Sequence, residues 1–197
     1  MPDHVINEVL LHDVKLNECT RFLIDRDGCL SFDVLVPLPL NLWAGDFNNE
    51  HRKAFPGIRG DAAREIWGTE WDAYGSKTVE DTVAGTRIRF QTAWDHPRGW
   101  LCALFNTLKC DITASWLCEG ARIGHVENYK AQGAWGTPTW ESAELADDRA
   151  EYLHLSELLY GEQVPDDADE GDFAADMDSD YRRDQPEIRP PEGRGPS

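Results

Sequence analysis

Two indoles four residues apart, Trp67 and Trp71, constrain this chain more than any other feature. They lie in the segment Ile-Trp-Gly-Thr-Glu-Trp-Asp-Ala-Tyr at residues 66–74. At a two-residue period Trp67, Thr69, Trp71 and Ala73 share one face, and Gly68, Glu70, Asp72 and Tyr74 share the other. The segment therefore reads as a strand that buries both indoles, each worth about 150–250 Å². A single small core is expected to form around it, as 197 residues allow one domain.

The segments on either side supply the remaining elements. Residues 5–11 are rich in β-branched and apolar residues and suit a first strand. Leu16, Cys19, Phe22 and Leu23 follow at helical spacing with Asp13 as N-cap, and residues 30–36 resume a strand pattern before Pro37 and Pro39. Periodicity is lost over 40–60, a polar inserted loop of the long kind that is often functional. Residues 61–66 suit one or two helical turns, and 75–85 a connection. Over 86–93 the chain alternates, with Ile88, Phe90 and Thr92 opposed to Arg87, Arg89 and Gln91.

An apolar stripe of Trp100, Leu104, Phe105 and Leu108 predicts a helix starting at Asp95-His96-Pro97. Ile112, Ala114 and Trp116 mark a strand, Glu119-Gly120 a turn, and 122–130 a last strand. This order predicts an α+β fold: a ferredoxin-like antiparallel sheet covered by two helices, spanning 1–136. Thr137-Pro138 starts, and Gly161 ends, an extra C-terminal helix over 137–161 carrying Tyr152, Leu155 and Leu159. Residues 162–197 read as a disordered acidic tail.

Charge divides the chain unevenly. Residues 1–140 hold 14 Lys+Arg against 19 Asp+Glu, and residues 141–197 hold 5 against 18, so −5 and −13 of the total −18. That balance weighs against a phosphate-backbone partner. Five cysteines at spacings that match no zinc signature read as reduced thiols. The opening Met-Pro-Asp-His has neither the basic flank nor the apolar core of a signal peptide, and no apolar run approaches ~18 residues. The expectation is a cytoplasmic protein with no membrane partner, no cofactor and no metal.

The segment Trp67-Gly68-Thr69-Glu70-Trp71-Asp72-Ala73, together with Phe90-Gln91-Thr92-Ala93-Trp94 followed by Pro97 and an apolar helix, resembles the YubB-type ferredoxin-like domain of plasmid and bacteriophage proteins. A weaker match is Ser31-Phe32-Asp33 followed by Pro37-Leu38-Pro39. The likeness covers roughly residues 1–135. Glu70 stands where that family usually has Lys, Ile66 replaces an Asn, and the N-terminal Asn-Trp-Cys motif is reduced to Asp3-His4-Val5. The resemblance implies a fold and a mobile-element origin; it implies no activity.

Candidate sites carry two readings each. Glu70 and Asp72 form either an acid pair able to hold a hard cation or, the preferred reading, a face paired across a ladder with Arg89 and Arg87. His96 beside Asp95 is either an oriented base or ordinary helix-start chemistry, and His125 reads as structural. Of eight tryptophans, Trp67, Trp71, Trp100 and Trp116 are assigned to the core. Trp43, Trp135 and Trp140 are the surface candidates for binding, joined by Tyr152 on a helix that either caps the domain or docks in a partner's groove. The preferred function is a non-enzymatic interaction module binding a host or element-encoded protein. A nucleic-acid binder using the open sheet face, with the acidic tail autoinhibitory or nucleic-acid-mimicking, is the alternative.

Overall fold

The first apolar run does form a strand, and it becomes the centre of the sheet. In the computed structural model, which describes residues 3–119, 124–130, 139–144 and 149–160, β1 (His4–His12) pairs antiparallel with β3 (Gly85–Ala93) on one side and β4 (Ile112–Cys118) on the other. β2 (Tyr74–Asp81) adds to β3, and β5 (His125–Lys130) and β6 (Thr139–Glu144) extend the β4 edge. The order across the sheet is β2-β3-β1-β4-β5-β6. The result is a mixed α+β domain with an antiparallel sheet and several helices, and every described residue belongs to one unit, Met1–Val164.

Register assigns the faces. Val9 and Leu11 of β1, Ile88 and Phe90 of β3, Ile112 and Ala114 of β4 and Tyr129 of β5 join one core cluster. Three helices cover it: α1 (Leu16–Leu23) with Cys19 and Leu23, α3 (Arg59–Trp67) with Ala63 and Trp67, and α4 (Arg98–Leu108) with Trp100, Leu101, Leu104 and Phe105. A short α2 (His51–Ala54) lies in the long loop. Phe32 sits at the middle of the cluster, its ring against Trp67, Phe90 and Trp100 at centroid distances of 5.6, 5.5 and 4.7 Å. On the other face Ile6 and Leu117 pack with Leu155 of α5 (Arg149–Tyr160), and Tyr152 lies partly buried against them.

Four expectations are corrected. Residues 66–74 do not form a strand: Trp67 closes α3, Gly68 caps it at φ 95°, and only at Tyr74 does a strand begin. A helix run of Ala62-Ala63-Arg64-Glu65 ending in a left-handed glycine outweighs the two-residue pattern. The two indoles consequently part, Trp67 being 1 % exposed and Trp71 44 %. Gly68 is required twice over, because a Cβ there would also lie 2.9 Å from the Arg98 backbone nitrogen where α3 meets α4.

The strand expected over 30–36 is instead a 3-10 turn at Phe32–Val34, entered through a single bridge between Ile24 and Leu30. The strand that follows α1 is β2, in the segment taken as a connection. Its edge position leaves residues exposed on both faces, so no alternation marks it. The helix expected over 137–161 is two elements, since Thr139–Glu144 pairs with β5 and α5 starts at Arg149. The expected turn at Gly120 and the acidic tail over 162–197 lie outside the described residues.

Candidate interaction surface

The two tryptophan-bearing segments, 67–74 and 90–94, meet at the end of the sheet where β1 begins and β3 finishes. Thr69, 1 % exposed, donates its hydroxyl to the Ala93 carbonyl at 2.8 Å, and the Tyr74 hydroxyl donates to the Thr92 carbonyl at 2.9 Å. With its one proton so used, the Tyr74 oxygen accepts from His4 Nδ1 at 2.7 Å, which fixes the proton of that histidine on Nδ1. Thr92 is fully buried; its hydroxyl accepts from Asn7 Nδ2 at 3.0 Å and donates to the Asp95 carbonyl at 2.7 Å.

Asp72 holds the neighbouring loop. Its carboxylate accepts from the Ser31 hydroxyl at 2.6 Å and from the Phe32 amide at 2.7 Å, so it positions the phenylalanine that fills the core. Neither Asp72 nor Glu70 faces Arg87 or Arg89 as expected. Glu70 pairs with Arg64 at 2.6 Å, and both strand arginines engage Glu8, Arg89 at 2.5 Å and Arg87 at 3.4 Å. Burial by itself raises the Glu8 carboxyl, but hydrogen bonds from Arg89 and His154 and the charges of both arginines outweigh it and hold the group below the usual range.

This scaffold presents two tryptophans to solvent. Trp71 stands edge-on to Tyr74 at 5.6 Å, and Trp94, held at φ 73° with its amide donating to the Asp3 carbonyl, is 46 % exposed. A bulky side chain at positive φ is uncommon and marks a conformation imposed by its surroundings. The expectation that Trp71 belongs to the core is therefore corrected, and Trp94 was not singled out as a surface residue at all. Its signal in the sequence was Asp-His-Pro directly after the strand, which forces the chain to turn there.

The residues expected to bind are scattered. Trp43 is half-buried in the long loop, stacked on His51 at 3.9 Å and tilted against Phe55, with its indole N–H donating to the Asp46 carbonyl. It closes a local cluster that is joined to the start of α3 by the bridge between Trp43 and Ile58. Tyr152 lies in the joint between α5 and the sheet. Trp135 lies outside the described residues, and of Trp140 only the backbone, paired in β6 opposite Tyr129, is described.

Comparison of the chain with protein-family models, with curated proteins and with solved structures finds no match. The reading of this surface therefore rests on its own chemistry.

Behind Trp94 lies a buried polar cluster. His96 stacks on Trp116 at 3.8 Å, and Trp116 in turn on His125 at 5.4 Å. His96 Nδ1 meets Asp95 at 2.8 Å and its Nε2 lies 3.7 Å from Glu127, which also accepts from the Tyr129 hydroxyl at 2.6 Å and lies 3.6 Å from Arg98. Burial alone lowers the imidazole, but Asp95 and Glu127 outweigh it and raise it above 6.5. Burial alone raises Glu127, but His96, Tyr129 and Arg98 outweigh it and bring it below 4.5. Among the described residues no group of three or more His, Cys, Asp and Glu side chains is placed to hold a metal.

These shifts fix a pH dependence. The raised His96 contributes stability that is complete below its unfolded value near 6.5 and is lost as pH climbs through the folded value. The depressed Glu127 contributes stability present above 4.5 and lost as pH falls through its lowered value. Denaturant midpoints should plateau between these limits and fall on both sides. In His96→Gln the alkaline decline should flatten; an unchanged alkaline slope would show that another group carries it.

Proposed function

We propose that the chain is a protein-interaction module, a non-enzymatic accessory factor that binds a host or element-encoded protein through the sheet end carrying Trp71 and Trp94. The observation that carries this reading is the exposure of these two indoles on segments tied together by the hydrogen bonds of Thr69, Tyr74 and Thr92. Exposed, pre-positioned tryptophans are the residue type most enriched at binding hot spots, because they bury a large area at little entropic cost.

A ferredoxin-like topology is part of the proposal. Its support is the order β2-β3-β1-β4, with α1 in the connection after β1 and α4 in the connection after β3. The resemblance to the YubB-type domain, and with it a phage or plasmid origin and a cytoplasmic setting, is proposed on the same residues. Both segments that carry the likeness contribute to the one corner.

Nucleic-acid binding by the sheet face has less support. α5 packs on that face over β1 and β4, and Arg87 and Arg89 of that face are engaged by Glu8. With a net charge of −18, fluorescence anisotropy of labelled single- and double-stranded oligonucleotides should show only weak binding by the full chain at about 150 mM salt. Submicromolar, steeply salt-dependent binding would move the nucleic-acid reading to first place.

A further inference from the structure

Trp94 sits between two acidic residues, and Tyr74, against which Trp71 packs, lies within the field of Glu119. Glu119 accepts from the His4 backbone amide at 3.1 Å and its own amide donates to the His4 carbonyl, which places it next to the histidine that Tyr74 holds. Asp3 bonds through its carbonyl to Trp94, and Asp95 follows Trp94 directly with its side chain 66 % exposed. The Cys118 thiol registers all three: burial first, and then the negative charges of Asp3, Asp95 and Glu119, push it up. Between this rim and α5, His4, Gln91, Glu119 and Leu159 line an open cleft of about 170 Å³. That is below the ~300–1,000 Å³ of small-molecule pockets and suits a single side chain.

An indole face attracts cations through its quadrupole, arginine most often, and a guanidinium is also the group that carboxylates bind in a planar, forked geometry. Carboxylates repel phosphate and acidic peptide at the same place. We propose that this corner receives an arginine-bearing segment of a partner protein, its guanidinium groups seated between the exposed Trp71 and Trp94 indoles and the carboxylates of Asp3, Asp95 and Glu119. The inference rests on the interaction reading above and names the partner's chemistry.

The test is a titration of the full chain, ¹⁵N-labelled, in which the indole cross-peaks of Trp71 and Trp94 are assigned from Trp71→Phe and Trp94→Phe. Three blocked peptides serve as probes: alternating Arg-Leu, Gln-Leu and Glu-Leu. At about 150 mM salt the Arg-Leu peptide should shift both indole peaks, the other two should not, and Trp71→Ser with Trp94→Ser should weaken binding by about tenfold. Equal shifts with the Gln-Leu peptide would overturn the arginine assignment while leaving the corner as the binding surface. Arg-Leu binding that leaves both peaks in place, through attraction to the acidic residues 141–197, would overturn the arginine proposal and the corner together. So would an absence of any shift with all three peptides.

Discussion

Trp67→Ala is expected to cost the fold about 3–5 kcal/mol, the usual loss when a buried aromatic is truncated and its cavity only partly collapses. Trp67 is 1 % exposed, stands 5.6 Å from Phe32, and donates its indole N–H to the Val36 carbonyl at 2.8 Å. Truncation therefore removes core contacts and strands a backbone acceptor in the 3-10 region. Trp71→Ala, four residues on, should stay within about 1 kcal/mol, since surface substitutions away from special features have small effects. Urea midpoints of the two variants beside the parent decide the matter. Equal losses would restore the reading in which both indoles share one buried face.

Glu127→Ala is the second large effect, about 3 kcal/mol, because it removes a buried carboxylate from beside the buried His96 imidazole and strands the buried Tyr129 hydroxyl. Glu127 is 3 % exposed, accepts from the Tyr129 hydroxyl at 2.6 Å, and lies within ion-pair distance of His96 and Arg98. Its loss leaves the Tyr129 proton without its acceptor and the His96 charge answered by Asp95 alone. Since β5 carries Glu127 and α4 begins at Arg98, the change should loosen that edge of the sheet first. Amide exchange should accelerate in His125–Lys130 before it does in the central strand. A uniform change across the sheet would contradict the local role given to this cluster.

The sequence disclosed the elements that bury one face and expose the other. Residues 86–93 alternate because Ile88 and Phe90 enter the core while Arg87 and Arg89 turn to Glu8. The stripe of Trp100, Leu104 and Phe105 is helical for the same reason. Elements at the margin were not disclosed. β2, exposed on both faces, shows no period, and the strand Thr139–Glu144 was absorbed into a helix.

The spacing of Trp67 and Trp71 was ambiguous in itself, since four residues fit both one helical turn and two strand repeats. Gly68 was the residue that decided it, by ending α3 between them. The surface corner was half legible. Its tryptophans were marked by their motifs, but the carboxylates beside them come from positions 3, 95 and 119, which only the pairing of β1 with β3 and β4 brings together. The His96 and Glu127 pair was invisible for the same reason, being 31 positions apart and joined through β4 and β5.

The central claim is that the chain acts through the end of the sheet bearing Trp71 and Trp94, and site-specific photocrosslinking in a bacterial cell tests it most directly. A benzophenone side chain placed at position 71 or 94 is compared with one at Val83, which is fully exposed in the turn after β2, at the far end of the sheet. Discrete protein adducts from 71 and 94, absent from 83, are the predicted result. Adducts of the same pattern and yield from all three positions, or adducts to nucleic acid, would contradict it.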